Sequence, residues 1–284
     1  MRAIKTLFLL TALTVLLVLG GEAIAGQRGM EYGLFLAIAM NGIAYFFSDK
    51  IALMSSGAQP VSREQLPRLY AVMERLTGKA GLPMPKLYVI PQAAPNAFAT
   101  GRNPSHASVA VTAGLMELMT DDELEGVIAH ELSHVRNYDI LITSIAATIA
   151  GAITVVARMG EFALIFGGYG GSRDDRRGGG LSALLMIFLA PLAALLIQLG
   201  ISRQREYAAD ASGARMVGHP FGLISALEKL GAYNKRIPMN VPPATASLFI
   251  VAPLSAGQVF TGLFSTHPPL SERIAALKNM VVSR

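Results

Sequence analysis

The stretch VIAHELSHVRNYD, residues 127–139, decides how this chain is read: His130 and His134 stand four residues apart, with Glu131 beside the first. On an α-helix, positions i and i+4 share a face one turn apart, so both imidazoles can aim at one ion. A catalytic zinc takes three protein ligands and keeps a fourth position for water, whose pKa it lowers to ~7. The stretch therefore supplies two ligands and a carboxylate to take the proton of that water. Short patterns recur by chance, and a single histidine is more often a buried or capping residue. Context favours the metal, because Thr120-Asp121-Asp122-Glu123 forms a capping box for this helix and a strand-like segment precedes it.

The chain has 284 residues and no cysteine, which excludes disulfides and thiolate metal sites and suits a reducing compartment. The third ligand must then come from His106, His219, His267 or a carboxylate. A composition 52% hydrophobic and 15% charged points to a membrane. Apolar runs occupy 7–19, 33–47, 140–157 and 181–201, and the last two approach the ~20 residues of a spanning helix. The first run, preceded by Arg2 and Lys5, also fits a cleaved signal peptide, with Ala23-Ile24-Ala25 as a small-residue cleavage site. The second run follows so soon that a retained hairpin is the expectation.

The runs divide the chain into an N-terminal membrane hairpin (1–50), a first catalytic part (51–139), a second membrane hairpin with a Gly- and Arg-rich linker (140–201) and a second catalytic part (202–284). An even number of spans puts both polar parts on one face. Arg2, Lys5, Lys50, Arg203 and Arg205 flank spans on that face, which places it in the cytoplasm. Arg173, Arg176 and Arg177 in the linker run against this orientation, and Asp174 and Asp175 offset them in part. The net charge of +5 is dispersed, with no basic stripe among aromatics to indicate a nucleic-acid partner.

Within 51–139, Ser62-Arg63-Glu64-Gln65 reads as a capping box that opens a helix to about Lys79, ended by Gly81, Pro83 and Pro85. Segments 86–90 and 108–112 are rich in β-formers and bracket the Pro- and Gly-punctuated 91–104, which predicts a small sheet with a strand near 96–100. Beyond the fourth run, geometry narrows the choice of third ligand. His134 precedes the third run by ~9 Å of helix and Glu206 follows the fourth by ~7.5 Å. In an antiparallel hairpin the two emerge at similar height. Asp210 lies at i+4 from Glu206 and can accept the second N–H of a ligating histidine. The bland alternative is a solvated helical face after a span.

Taken together, HELSH (130–134), REYAAD (205–210), PNAFATG (95–101), STHPPLSERI (265–274) and four apolar runs resemble the HtpX-type membrane zinc metalloproteases, relatives of the CAAX prenyl protease. The likeness covers nearly the whole chain. It implies a mainly α integral membrane protein: four transmembrane helices and a gluzincin-like (HExxH plus Glu) α+β catalytic domain with a small sheet. It further implies a multi-pass zinc endopeptidase of the cell inner membrane, catalytic domain cytoplasmic, that cleaves misfolded or damaged membrane proteins in quality control. One Zn2+ per chain would rest on His130, His134 and Glu206, with Glu131 as general base and Asp210 as supporting carboxylate.

His267 precedes two prolines that hold the chain extended, which suits a donor to the developing oxyanion, and Arg273 suits a partner of the carboxylates or of a substrate carbonyl. The residues alone fit equally a helix-capping loop histidine and a surface arginine. Asn96, Ala97, Phe98 and Ala99 suit an exposed sheet edge that grips a polypeptide through main-chain hydrogen bonds, with Asn96 reaching a carbonyl. An ordinary edge strand with Phe98 in the core fits as well, and the resemblance favours the grip. The rival class is a noncatalytic zinc-binding membrane scaffold or a transporter. The interiors of the four runs carry no ionisable residue, which argues against a transport path.

Overall fold

A computed structural model describes residues 2–167, 202–234, 236–237, 239, 241–251 and 268–280. The first helical segment, Arg2–Ser55 (α1), reverses direction at Gly26, whose φ of 61° is a left-handed conformation that glycine adopts without a Cβ penalty. The two arms lie antiparallel: Asn41 Nδ2 donates to Leu10 O at 3.2 Å and to Thr14 Oγ1 at 2.9 Å, 31 and 27 residues back. One arm, Gly26–Ser55, is long and apolar enough to cross a membrane, whereas the apolar helices Thr6–Glu22 and Asp139–Ile153 are shorter. Only one helix among the described residues thus meets the length that was expected of four. The linker and the fourth run, 168–201, lie outside the described residues.

The small sheet is mixed. Its strands are Gln59–Pro60 (β1), Lys86–Ile90 (β2), Ala97–Gly101 (β3) and Ala107–Thr112 (β4), in the order β1-β2-β4-β3. β2 runs parallel to β4, with Leu87 opposite Val109, and β3 runs antiparallel to β4, with Ala99 opposite Val109. β3 is therefore an edge strand, and its span lies close to the 96–100 that the punctuation of 91–104 suggests.

The helix before β2, Pro67–Ala80 (α2), starts later than its sequence implies. Ser62 N does donate to Gln65 Oε1 at 2.8 Å, half of the expected box, but Leu66 is the cap and Pro67 the first helical residue. Proline disfavours the α-region at the residue before it and loses nothing at a first turn, where its missing N–H has no helical partner. After β4 come Ala113–Leu118 (α3), Asp121–Arg136 (α4) and Asp139–Gly167 (α5). The chain then continues through Arg203–Val217 (α6), Phe221–Asn234 (α7), the short Pro243–Ala246 (α8) and Leu270–Lys278 (α9).

The main core lies between sheet and helices, where Leu69, Met73 and Leu76 of α2 meet Val109 and Val111 of β4, Val127 and Ile128 of α4, and Leu227 of α7. A second cluster joins Ile142, Ile145 and Ile149 of α5 to Leu9, Leu13 and Ala44 of the hairpin. Between them Thr100 Oγ1 of β3 and Ser144 Oγ of α5 share a buried 2.7 Å hydrogen bond. The apolar hairpin is thus packed against the sheet that flanks α4.

α4 begins as its capping box dictates: Glu123 N donates to Thr120 Oγ1 at 3.4 Å and Thr120 N to Glu123 Oε2 at 2.8 Å. Glu123 also accepts from Ser225 Oγ at 2.6 Å and Lys229 Nζ at 2.7 Å, which ties α4 to α7. Burial by itself raises this carboxyl, but Lys229, Ser225 and the Thr120 amide outweigh it and lower the pKa from 4.5 to about 2. A depressed folded-state pKa contributes stability above 4.5 that is lost as pH falls towards 2. Glu123→Gln should lower unfolding stability at neutral pH by ~1–3 kcal/mol, the worth of charge-assisted hydrogen bonds. The deficit should shrink between pH 4.5 and 2, as read by urea denaturation at several pH values.

Candidate metal centre

α4 carries His130, Glu131 and His134, and α6 crosses it closely enough that a Cβ on Gly213 would lie 3.0 Å from His130 N. This approach brings Glu206 and Asp210, one turn apart on α6, against the two imidazoles. His130 Nε2 and His134 Nε2 are 3.2 Å apart; Glu206 Oε1 lies 3.4 Å from the second and Oε2 3.8 Å from the first. His130 Nδ1 stands 2.8 Å from Asp210 Oδ1, and His134 Nδ1 stands 3.3 Å from Asp139 Oδ2. An ionised carboxylate only accepts, so each Nδ1 carries the proton and each Nε2 presents a lone pair. Two lone pairs and a carboxylate then face one point.

That arrangement is repulsive unless a cation joins it, either a metal ion or, without one, a second proton on His134. Donor atoms around a tetrahedral zinc with bonds of ~2.0–2.1 Å stand roughly 3.3 Å apart, close to the three separations given above. The donor set therefore fits the ion. Burial and neighbouring charge prepare the groups differently. Burial lowers His130 to about 4 against the pull of Asp210. At His134 burial also lowers the pKa, but Glu206, Asp139 and Glu131 overcome it and raise the value to about 8. Glu131 is pushed up to about 7, chiefly by burial and further by Glu206, with His134 opposing.

A wide buried network supports the ligands. Arg273 of α9 has no exposed surface and grips Asp210 with Nε and Nη2 at 2.8 and 2.7 Å. The same guanidinium donates through Nη1 to Ile250 O at 2.9 Å and lies 3.9 Å from Glu206. Asp210 stays below the usual carboxylate range because Arg273 and His130 outweigh its burial. Removing one member of such a pair costs ~3–5 kcal/mol, since the other charge is left buried and alone.

Comparison with known proteins agrees with this centre. Residues 63–281 match the model of peptidase family M48. The chain belongs to peptidase family M48. Proteins described as protease HtpX homologues are similar along almost its whole length. That of Desulfatibacillum aliphaticivorans is 56% identical over 274 residues, covering 96% of this chain and 88% of its own. That of Syntrophotalea carbinolica is 52% identical over 283 residues, covering 99% and 100%. The crystal structure of S. mikatae Ste24p shares the fold, with a TM-score of 0.52 and 24% identity over 97% of this chain and 65% of that one. The chain is a membrane-anchored metalloprotease of the M48 family, mostly helical, and the scaffold or transporter alternative is not favoured.

Within this M48 site the sequence-predicted residues fall into three groups. His130, His134, Glu131, Glu206, Asp210 and Arg273 come together, and Arg273 is buried rather than a surface charge. His267 lies outside the described residues. His106 is exposed and bonded to Asn103, while His219 stands 3.6 Å from Asp122, so neither joins the centre. The edge Asn96 to Ala99 departs from expectation: β3 is buried along its length and Asn96 is 0% exposed. The chain itself covers it, since Ile250 N donates to Ala97 O at 2.9 Å and Asn96 Nδ2 to Val251 O at 2.7 Å. Phe98 sits in the core against Phe249, with ring centroids 5.0 Å apart.

Asp139 is the site residue that sequence reasoning misses. It is 3% exposed, opens α5, and reaches both His134 and, at 3.7 Å, Arg205 of α6. Tyr138, directly before it, has a φ of 57°, a left-handed conformation unusual for a tyrosine. That turn swings Asp139 back onto the histidine five residues earlier. A charged residue placed exactly where an apolar run begins is the available signal. Asp139→Ala should weaken metal affinity by about 10–100-fold, the usual loss for a carboxylate behind a ligating histidine. Competition with a chromophoric chelator measures this directly.

Proposed function

We propose that this protease is a zinc endopeptidase with a cytoplasmic catalytic domain, anchored in the cell inner membrane by four spans, that cuts misfolded or damaged membrane proteins. The observation that carries the reading is the convergence of His130, His134 and Glu206 on one point with Glu131 beside it. Exposed Leu34, Phe35, Ile38 and Phe46 on the long arm of α1 suit a lipid environment and support the anchoring. The organisation into 1–50, 51–139, 140–201 and 202–284 remains part of this proposal.

His130, His134 and Glu206 would hold zinc, which when bound would supply Lewis-acid polarisation of the scissile carbonyl and acidification of water. The protein's own groups do the rest. Glu131, buried and facing Glu206, has its affinity for a proton raised towards neutrality. A carboxylate poised there takes the proton of the attacking water and gives it to the leaving amine. Asp210 and Asp139 keep each Nδ1 protonated and each Nε2 turned inward. His267, two prolines ahead of α9, is the candidate donor to the oxyanion, with Arg273 steadying Asp210 behind the ligands.

Glu131→Gln should retain metal and lose casein hydrolysis, since an amide of the same shape cannot act as a base at neutral pH. Substantial turnover by that variant would sink the mechanism. Glu206→Ala should lose metal under mild chelation because only two protein ligands remain. Retention equal to wild type would remove Glu206 from the ligand set. The orientation is checked in the cysteine-free chain by Gln27→Cys and Ser62→Cys. An impermeant thiol reagent applied outside intact cells should label the first, at the tip of the hairpin, and spare the second.

A further inference from the structure

We infer that residues 248–251 form a bent segment that occupies the substrate's place on the rim of β3, and that this segment withdraws before cleavage. The inference rests on the endopeptidase reading and concerns how that site is kept closed. The edge of β3 is the obvious place to hold an extended chain, because main-chain groups there lie against the metal centre. Asn96 O accepts from Thr112 N of β4 at 2.9 Å, so by alternation the main-chain groups of Ala97 and Ala99 turn to the outer rim. The Ala99 amide is near enough to the Glu131 carboxylate to favour its ionised form, and β3 packs on the helix α4 that carries this base.

Residues 250–251 take the neighbouring positions. Ile250 N donates to Ala97 O at 2.9 Å, and the Asn96 amide pairs both main-chain groups of Val251, donating to its carbonyl at 2.7 Å and accepting from its N–H at 3.4 Å. The segment advances from 250 to 251 as β3 recedes from 97 to 96. It therefore lies along the rim with its direction opposed to that of β3, held by one main-chain bond and by the Asn96 side chain. Ile250 O meets Arg273 Nη1 at 2.9 Å, and Nη2 of that guanidinium is 3.4 Å from His130 Nδ1. A peptide carbonyl is thus parked one side chain from a metal ligand.

Two properties mark an occupant rather than a wall. First, the polar contacts that hold it go to its main chain: Asn96 and Arg273 touch the N–H and carbonyl groups of 250–251, which any polypeptide offers. Substrate can replace these bonds one for one, so their exchange costs little. Second, side-chain retention rests on apolar packing, with Phe249 against Phe98 and with Ile250 buried. Those contacts keep the segment seated until a substrate competes.

The test uses the full-length, zinc-loaded Glu131→Gln protein in detergent and a casein-derived peptide that the wild type cuts. Hydrogen exchange at 247–251 should accelerate about tenfold or more when saturating peptide is added, because protection reports the closed population. Unchanged exchange with bound peptide overturns the inference. In the active enzyme, Phe249→Ala should lower the melting temperature, as truncation of a fully buried ring does, and, assayed below that transition, should lower KM several-fold while kcat and zinc content stay near wild type. A raised or unchanged KM in the folded, zinc-loaded variant would make the segment a fixed wall and overturn the inference as well. If wild type cuts no casein peptide, the endopeptidase reading fails first and takes this inference with it. Cleavage with unaltered exchange refutes the inference alone.

Discussion

The whole site hangs on one buried guanidinium. Arg273 comes from the last described helix, Asp210 from α6 and His130 from α4, and the three share hydrogen bonds with no exposed surface on the arginine. Burying Asp210 and Arg273 singly would be prohibitive, and together they remain favourable only while the geometry is held. Each partner therefore fixes the others: Arg273 keeps Asp210 ionised, Asp210 keeps His130 Nδ1 protonated, and the opposite nitrogen is left to face the metal position. Sequence segments more than sixty residues apart are locked into one electrostatic object. The folded core supplies the dry surroundings, and without these the same charges would be screened and loosely held.

His134 is served by a second, independent carboxylate, and the contrast between the two is informative. Asp210 approaches from within the catalytic helices and is neutralised by an arginine. Asp139 approaches from the first turn of an apolar helix, behind a strained tyrosine, with Arg205 at a longer distance. Strain of this kind persists when surrounding packing over-determines it, and it gathers where geometry serves function. The two histidines of the candidate metal centre are thus oriented by different parts of the molecule, one by the catalytic core and one by the base of α5.

What can be read from the sequence follows from the range of the interactions. Thr120 and Glu123, His130 and His134, and Glu206 and Asp210 act within one helical turn, so spacing alone reveals their faces. The strands 86–90 and 96–100 are legible because Pro and Gly bound them. The later start of α2 follows from Pro67, a local rule that competes with the capping-box pattern at Ser62. The covered edge of β3 is not legible, because its occupant comes from 155 residues further along the chain and pairs through main chain, which leaves no mark in residue type. Asp139 hides for a different reason: its orientation depends on a turn that no residue preference favours.

The position of Asp139 has a consequence for how the enzyme meets its targets. Because the carboxylate behind His134 is also the first residue of an apolar helix packed on the N-terminal hairpin, chemistry and anchor have no seam between them at which they can be parted. A version cut away before α5 would lose the carboxylate that orients His134. For the membrane-protein targets proposed above, encounter would then depend on lateral diffusion in the bilayer and on how near its surface a chain is exposed.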